Sequence, residues 1–201
     1  MDDMEKQPKK RKPRPLKPVE KQRVREQALR YLDRFAATTD KLKRHLFTKN
    51  YKAMAQHSQD EEQVRQLIEE VVESLVKAGL MDDQQYADAK ARSLSRQGKS
   101  TRHIRQKLQS LGLKDRQADH ALTELSDVEG YTDLIGAAKY VRKRRFGPYK
   151  DKNTRDERRD KELSALMRNG YSFDISNKIL SLHTVDEVED IIYGSSDLKG
   201  E

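Results

Sequence analysis

The sequence contains no cysteine. The chain therefore cannot hold a disulfide framework, use a thiolate or bind zinc through sulfur, and this composition is compatible with a reducing compartment. Long apolar runs are missing as well, because no window approaches the roughly 18 consecutive apolar residues that a membrane helix needs. The N-terminus also lacks the apolar segment of an export signal. We expect a cytoplasmic protein that does not associate with a membrane.

Catalytic motifs are absent too. The five histidines show neither i, i+4 pairing nor an HExxH motif, and the chain has no glycine-rich phosphate loop and no G-x-S-x-G elbow. Acidic clusters at residues 69–73 and 186–190 are interpreted as solvated faces of amphipathic helices, with a nuclease-like metal site as the less favoured alternative. The sequence thus predicts a protein that is not an enzyme and uses no cofactor or metal.

Charged residues make up 38% of the chain and hydrophobic residues 34%, which predicts an elongated array of small cores instead of one deep core. The net charge of +8 is unevenly distributed. Residues 1–25 hold ten Lys or Arg against four Asp or Glu, and residues 139–161 hold eleven against four. Residues 162–201 reverse the balance, with three basic and eight acidic residues. Two strongly basic segments imply acidic or polyanionic partners.

Residues 1–18 contain four of the five prolines, set among dense Lys and Arg. Proline interrupts helices and this segment has little apolar material, so we expect a disordered basic arm. Two roles stay open for it, contact with nucleic acid or simple solubilisation. The run Pro8-Lys9-Lys10-Arg11-Lys12 also resembles a nuclear localisation signal, which is a weaker interpretation because such runs are common in proteins that contact nucleic acid.

The stretch 82–113 is the best-specified part of the chain. Its expected caps and stops are Asp82 or Asp83, Gly98, Ser100 or Thr101, and Gly112. Asp, Ser and Thr accept hydrogen bonds from the free N–H groups of a first helical turn, and Gly adopts the left-handed conformation that ends helices. The stretch therefore predicts two helices joined by a tight turn. Between Arg92 and Lys107 it has six basic residues and no acidic one.

An internal repeat connects three parts of the chain. The motif is a leucine followed four residues later by asparagine or glycine, and it occurs at Leu46 and Asn50, Leu108 and Gly112, and Leu166 and Gly170. We expect each copy to mark the end of a middle helix in a three-helix repeat, with Asn50 in the left-handed conformation. Such small units bury modest cores and pack in tandem.

The expected boundaries follow from this repeat. They are residues 1–18 for the arm, 19–80, 81–128 and 129–194 for the three repeats, and 195–201 for a C-terminal tail. Inside the third repeat, residues 147–157 are expected to form the longest linker and to be mobile.

The order of short motifs in the second and third repeats is informative. The second repeat reads Asp82-Asp83-x-x-Tyr86-Ala87, Arg92-Ser93, Gly98-Lys99 and Ile104-Arg105-Gln106-x-Leu108, and ends at Gly112. The third reads Lys143-Arg144-Arg145-Phe146-Gly147 and Leu166-Met167-Arg168-Asn169-Gly170-Tyr171-Ser172. Together they resemble the RecX family, bacterial regulators of the RecA recombinase, over about residues 20–193. The first repeat lacks the Arg-Ser and Glu-Leu features expected of the family.

The resemblance implies an all-α fold of three tandem three-helix repeats, which form an elongated curved array that inserts along the groove of a RecA–DNA filament. It implies a regulator in recombination, DNA repair and the SOS response that inhibits RecA's ATP hydrolysis, strand exchange and coprotease activity. The implied partners are the RecA filament, single-stranded DNA and, as a secondary ligand, double-stranded DNA. We expect the protein to act as a monomer.

Two basic clusters are the candidate contact residues for DNA or RecA. They are Arg92, Arg96, Lys99, Arg102 and Arg105 in the second repeat, and Lys139, Arg142, Lys143, Arg144, Arg145 and Lys150 in the third. Lys and Arg neutralise phosphates, and the neighbouring Phe146 and Tyr149 could stack on bases. The alternative for both clusters is a solvated helix face whose aromatic residues belong to the core.

The principal hypothesis is a regulator that works by occupying the filament. The alternative is a general single-stranded nucleic-acid-binding protein that acts without RecA, which a steep salt dependence on naked DNA would favour. A sequence-reading helix-turn-helix protein is less favoured, because the three repeats do not share Asn, Gln or Arg at readout positions.

Overall fold

The structure is a computed structural model, and it describes residues 16–194. Within that range there are ten α-helices, one short 3-10 helix at Gly147–Tyr149 and no β-strand. The α-helices in chain order are α1 (Lys21–Leu32), α2 (Thr39–Gln56), α3 (Glu61–Lys77), α4 (Asp83–Arg96), α5 (Thr101–Ser110), α6 (Asp115–Asp127), α7 (Asp133–Arg144), α8 (Lys152–Arg168), α9 (Phe173–Leu180) and α10 (Val185–Tyr193). The all-α prediction is confirmed. The predicted tail, and the predicted arm except for residues 16–18, lie outside the described residues.

The chain divides into two compact units. The first contains Met1–Phe35 and Leu42–Leu75, and the second contains Ala36–Lys41 and Val76–Glu201. The second unit thus contains α4 to α10, the first residues of α2 and the last two residues of α3. The division into three repeats with the boundaries given above stays a prediction. None of the described helices is long and apolar enough to span a membrane.

The first unit buries one face of each of its helices. The buried apolar side chains are Val24 and Ala28 of α1, Leu42, Leu46, Ala53 and Met54 of α2, and Val64, Ile68, Val71, Val72 and Leu75 of α3. Their spacing of three and four residues follows the helical period. Polar contacts join α1 to α3 at the surface, where Lys21 Nζ lies 2.7 Å from Glu70 Oε2 and Arg25 Nη1 donates to Ser74 Oγ at 2.9 Å.

Asn50 does not end α2, contrary to the prediction, because the helix continues to Gln56. Asn50 is buried, and its Nδ2 donates to Gln27 Oε1 at 2.7 Å and to the Leu46 carbonyl at 2.8 Å. These bonds satisfy the buried amide, the first through another side chain and the second by sharing a carbonyl of its own helix. The chain leaves the helix at Ser58, which takes the left-handed conformation with φ 49°.

In the second unit, α4, α5 and α6 share one apolar cluster. Its buried members are Ala87, Ala91, Leu94, Ile104, Leu108, Leu113, Ala118, Ala121, Leu125, Tyr131 and Ile135. The expected caps are confirmed at Asp82 for α4 and Ser100 for α5, each acting through its side chain. Gly98 and Gly112 follow the ends of these two helices with φ values of 67° and 81°, as predicted for left-handed stops.

The expected linker at residues 147–157 is wrong for most of its length. Residues 147–149 form the 3-10 helix and α8 begins at Lys152. The side chain of Glu162 explains the order, because its Oε2 accepts a hydrogen bond from the Gly147 N–H at 2.8 Å and its Oε1 lies 2.7 Å from Lys150 Nζ. A second apolar cluster of the unit surrounds this segment, with Ala137, Ala138, Val141, Leu166, Tyr171, Ile179, Leu180, Val188 and Ile192 as its buried members.

Three hydrogen bonds tie the start of α2 to α4 and to the end of α5. Thr39 donates its N–H to Asp83 Oδ1 at 2.8 Å and its hydroxyl to Asp83 Oδ2 at 2.7 Å. Thr38 Oγ1 donates to the Leu111 carbonyl at 2.6 Å. All four residues belong to the second unit. Asp83 thus satisfies a free N–H of one helical first turn while it stands in the first turn of another helix. We call this set of bonds a capping junction.

A second capping junction repeats the first at the start of α5. Thr101 donates its N–H to Asp133 Oδ1 at 2.7 Å and its hydroxyl to Asp133 Oδ2 at 3.2 Å. Ser100 Oγ donates to the Asn169 carbonyl at 2.8 Å. The same donor and acceptor types therefore join α5 to α7 and to the end of α8.

Candidate interface for nucleic acid and acidic partners

The turn between α4 and α5 packs directly on the backbone of α7. At Gly98, a Cβ atom would lie 2.8 Å from the Tyr140 backbone nitrogen and 3.0 Å from the Gly136 carbonyl oxygen, so only glycine fits. The Gly98 carbonyl accepts hydrogen bonds from the Tyr171 hydroxyl at 2.8 Å and from Asn169 Nδ2 at 3.2 Å. This packing makes neighbours of the two predicted basic segments, which are far apart in the sequence.

Lys139 shows the electrostatic result of that packing. Partial burial lowers the pKa of its ammonium group, Glu129 opposes this shift, and Arg142 and Arg96 add to it by repulsion. Its Nζ also lies 5.4 Å from the centre of the Tyr131 ring, within cation–π range. One cation of the first predicted cluster and two of the second therefore act on each other in the folded chain.

Two of the predicted contact residues are neutralised by carboxylates of the same unit. Arg142 Nη1 donates to Glu189 Oε2 at 2.9 Å and to the Tyr193 hydroxyl oxygen at 2.8 Å, and these hydrogen bonds raise the pKa of its guanidinium. Lys150 is bound to the buried Glu162. Both side chains have structural partners, so each is a weaker candidate for an outside anion.

Three predicted residues of α4, α5 and the turn between them also have partners. Arg105 forms an ion pair with Asp119. Arg92 Nε lies 3.9 Å from Glu129 Oε1, a long contact at the surface. Lys99 Nζ donates to Asn169 Oδ1 at 3.0 Å. This bond fixes the Lys99 side chain, but the neutral amide does not compensate its charge. Exposed ion pairs of this kind contribute little and exchange easily with solvent or ligand.

The remaining predicted residues point their charge outward. They are Arg96, Arg102, Lys143, Arg144 and Arg145, all exposed, and their side chains form no hydrogen bond or ion pair within residues 16–194. Two of them lie over aromatic rings, Arg144 at 5.7 Å from the Tyr140 centroid and Arg145 at 5.9 Å from that of Tyr149. We call these five residues the unpaired cations.

The aromatic residues beside this cluster are partly buried. Phe146 and Tyr149 both pack against the apolar cluster of α7 to α10. Tyr149 donates its hydroxyl to Glu189 Oε1 at 2.6 Å, and burial together with this carboxylate raises the pKa of Tyr149 to about 12. Base stacking on these two rings therefore has less support than the alternative interpretation as core residues.

Sequence reasoning missed a further basic group on α8. Lys152, Arg155 and Arg159 line one side of a cleft of about 620 Å³. The first two lie in the segment expected to be a linker, so no helical face was considered there. Their spacing of three and four residues was the available signal. Among the described residues, no group of three or more His, Asp or Glu is placed to hold a metal ion.

Comparison with known proteins identifies the family. A profile described as RecX, second three-helix domain, matches residues 82–122, the stretch that contains the Gly98 turn. The chain is 37% identical over 155 residues to regulatory protein RecX of Myxococcus xanthus, a match that covers 76% of this chain and 81% of that relative. The chain belongs to the RecX family. Regulatory protein RecX of Agrobacterium fabrum is 42% identical over 112 residues, covering 56% of this chain and 57% of the relative.

Solved structures agree with this membership at the level of the fold. The crystal structure of RecX from Lactobacillus salivarius aligns with a TM-score of 0.57 at 20% identity, over 84% of this chain and 96% of that one. A second crystal structure, of regulatory protein RecX, aligns with a TM-score of 0.53 at 21% identity, over 79% and 70% of the two chains. The resemblance noted from the sequence is confirmed, and the chain is a regulatory protein of the RecX family.

Proposed function

We propose that this RecX family member binds a RecA–DNA filament and inhibits the recombinase by occupying it. The observation that supports the proposal is the packing of the Gly98 turn on α7, which gathers cations from two distant segments. Lys and Arg neutralise phosphates and acidic protein groups, so such a gathering suits a partner built of protein and DNA. The protein acts as a monomer in the cytoplasm, and occupancy requires no cofactor.

The unpaired cations are the residues we expect to carry this binding. A paired cation must first lose its internal partner, which costs part of the energy gained from a new contact. An exposed cation without such a partner gives up only its hydration. Arg96 and Lys143 represent the two segments in this set, one at the end of α4 and one in the last turn of α7.

The test is RecA's single-stranded-DNA-dependent ATP hydrolysis, measured with the protein at substoichiometric ratios to RecA. The double variant Arg96→Glu, Lys143→Glu should raise the concentration for half inhibition at least about tenfold. The reason is that the two introduced carboxylates repel the phosphates and acidic groups of the partner. The matched control is Arg34→Glu, Lys52→Glu, which changes the net charge equally at exposed positions of the first unit. Full inhibition by the first double variant contradicts the proposal.

The second candidate function is general single-stranded nucleic-acid binding without RecA. The net charge of residues 139–161, eleven basic against four acidic, favours it. A salt slope of several units on naked DNA, with no inhibition of ATP hydrolysis at equimolar protein, would select this function over filament regulation.

A further inference from the structure

A polar cleft of about 620 Å³ lies in the second unit, between the N-terminal half of α8 and the chain at the end of α9. Lys152, Arg155 and Arg159 line it from α8, and Ser181 and His183 line it from the other side. None of these residues is among the eleven candidates selected from the sequence. The cleft is thus a basic feature that the proposed function does not use.

Arg155 and Arg159 are held in place by neutral acceptors. Arg155 donates to the carbonyls of Leu182 and His183, the latter at 3.3 Å. Arg159 donates through Nη2 to Asn177 Oδ1 at 2.7 Å and to Ser181 Oγ at 3.0 Å, and through Nη1 to the Leu180 carbonyl at 3.3 Å. None of these acceptors is a carboxylate.

These neutral acceptors therefore leave the positive charges of the two guanidinium groups uncompensated. Each guanidinium has five N–H donors, so donors also remain after these internal bonds. Because the groups are already oriented, a ligand does not have to order two long side chains on binding. Fixed, charged guanidinium groups with spare donors favour a planar or tetrahedral oxyanion.

Glu162 is a buried residue that also lines the cleft. The internal repeat aligns its position, four residues before Leu166, with Leu42 and Ile104, which are fully buried apolar residues. Glu162 is only 4% exposed, yet it is a carboxylate. A buried charge is costly unless it is paired, and here Lys150 and the Gly147 N–H are its partners.

The exchange of a core residue for a carboxylate has two consequences for the cleft. It fixes the turn at residues 147–150, which borders the cleft through Gly147. It also leaves the charge of Glu162 compensated by Lys150. Asp156 is then the one uncompensated acid among the lining residues, against three cations. Departures from apolar core rules of this kind are characteristic of functional sites.

We propose that the α8 cleft binds a phosphate group of a single-stranded nucleic-acid backbone. Among the described residues, no Phe, Tyr or Trp lines it, so His183 offers the only ring for base stacking, and Leu180 is its only large apolar lining residue, which is less than the apolar groove that a peptide would require. A phosphodiester matches its guanidinium donors and its excess of cations. This inference goes beyond the proposed function because it assigns a phosphate site to residues outside the eleven candidates, in a cleft that filament binding does not use.

The test is the binding of a labelled oligothymidylate to the full chain without RecA, followed by fluorescence anisotropy across a salt series. Lys152→Glu is the informative variant, because Lys152 is exposed and an acidic residue in the first turn of α8 favours the helix. We expect its affinity to fall about tenfold at low salt and its log–log salt slope to fall by about one unit.

Lys161→Glu is the matched control. It makes the same charge change on the same helix, nine residues later and therefore half a turn away from Lys152. We expect its affinity to change by less than about twofold. Equal losses in both variants would mean that only net charge matters and would overturn the inference, as would unchanged binding by Lys152→Glu.

A further variant tests the charge of the cleft, and an NMR titration distinguishes free phosphate from nucleic-acid phosphate. Asp156→Asn removes the opposing acid and should raise oligonucleotide affinity about threefold. Inorganic phosphate, used as the probe, should shift the side-chain N–H signals of Arg155 and Arg159 only weakly in NMR spectra, whereas oligothymidylate shifts them to saturation. Saturation by inorganic phosphate with no response to oligothymidylate overturns the inference. Normal DNA binding by Lys152→Glu, with lost inhibition of RecA, would also overturn it while leaving filament regulation intact.

Discussion

The middle helices α5 and α8 occupy equivalent places in the sequence repeat but have different interiors. Ile104 of α5 is fully buried among apolar side chains of α4 to α6. The aligned residue of α8 is Glu162, which is buried to nearly the same degree and is paired with Lys150. The repeat accommodates both residues, because Lys150 compensates the charge of Glu162 and the uncharged Ile104 needs no partner. Equivalent positions thus serve packing in one helix and local polar order in the other.

The two helices also differ in length. α5 has 10 residues and α8 has 17, and the extra residues are added at the N-terminal end. In α5 that end is Ser100 and Thr101, which form the second capping junction. In α8 the aligned residues are Arg158 and Arg159, already inside the helix. The added turns carry Lys152 and Arg155. The N-terminal end of α8 therefore presents a charged surface, whereas that of α5 forms the second capping junction.

The largest expected effect comes from exchanging the interiors. Ile104→Glu would bury a carboxylate without the partners that Glu162 has, and we expect the free energy of unfolding to fall by about 4 kcal/mol. Urea denaturation followed by circular dichroism measures it. Ile104→Val, the control, should cost about 1 kcal/mol. If the two variants were equally stable, the contrast between α5 and α8 would not depend on charge compensation.

The next effect tests the packing that brings the basic segments together. Gly98→Ala should lower the free energy of unfolding by about 3 kcal/mol, because the left-handed conformation is strained for alanine and the new Cβ meets the α7 backbone. Gly130→Ala is the matched control, since Gly130 has φ 64° but open space around its Cβ position. It should cost only about 1 kcal/mol. Equal losses of unfolding free energy would show that the left-handed backbone conformation alone requires glycine, and that contact with α7 adds nothing at Gly98.

Local signals in the sequence predicted the local features of this contrast. Asp82 and Ser100 were expected as caps, and Gly98 and Gly112 as stops, because each acts within a few residues of itself. Asn50 was predicted wrongly because its partner, Gln27, is 23 residues away and no local rule reveals that amide pair. The ordered turn before α8 was missed for the same reason, since Glu162 binds the Gly147 N–H from a distance of 15 residues.

The candidate site was predictable only as a set of charges. Composition selects basic residues, but whether a cation is paired depends on carboxylates that lie far along the chain. Arg142 and Lys143 are adjacent in sequence, yet Arg142 is bound by Glu189, 47 residues away, and Lys143 is unpaired among the described residues. Tertiary packing therefore makes a distinction that periodicity and charge counts cannot make.

A smaller effect tests whether the two capping junctions are equivalent. Asp83→Ala and Asp133→Ala each remove two hydrogen bonds to a carboxylate, so each should lower the free energy of unfolding by about 2 kcal/mol. Asp83→Asn and Asp133→Asn keep an acceptor oxygen and should recover about half of that loss. Thermal unfolding of the four variants makes the comparison. A loss at one junction alone would contradict their equivalence.

The smallest effect concerns the carboxylate that sets Arg142 apart from Lys143. Tyr149 and Arg142 donate to Glu189 and hold the pKa of its carboxyl below the usual 4.5. A carboxyl with a lowered folded-state pKa stabilises the fold above its unfolded-state pKa, and this contribution is lost as the pH falls through the folded-state value.

Glu189→Gln should therefore lower the free energy of unfolding by about 0.5 kcal/mol at neutral pH, because the pair is partly exposed. The difference from the original protein should shrink below a pH of about 4.5 and vanish once the carboxyl is protonated. Asp190→Asn makes the same charge change on the same helix and is the control, and it should change the free energy of unfolding by less than about 0.3 kcal/mol at neutral pH. A difference that persisted in acid would mean that Glu189 contributes through its shape and hydrogen bonds, and that charge does not separate Arg142 from its neighbour.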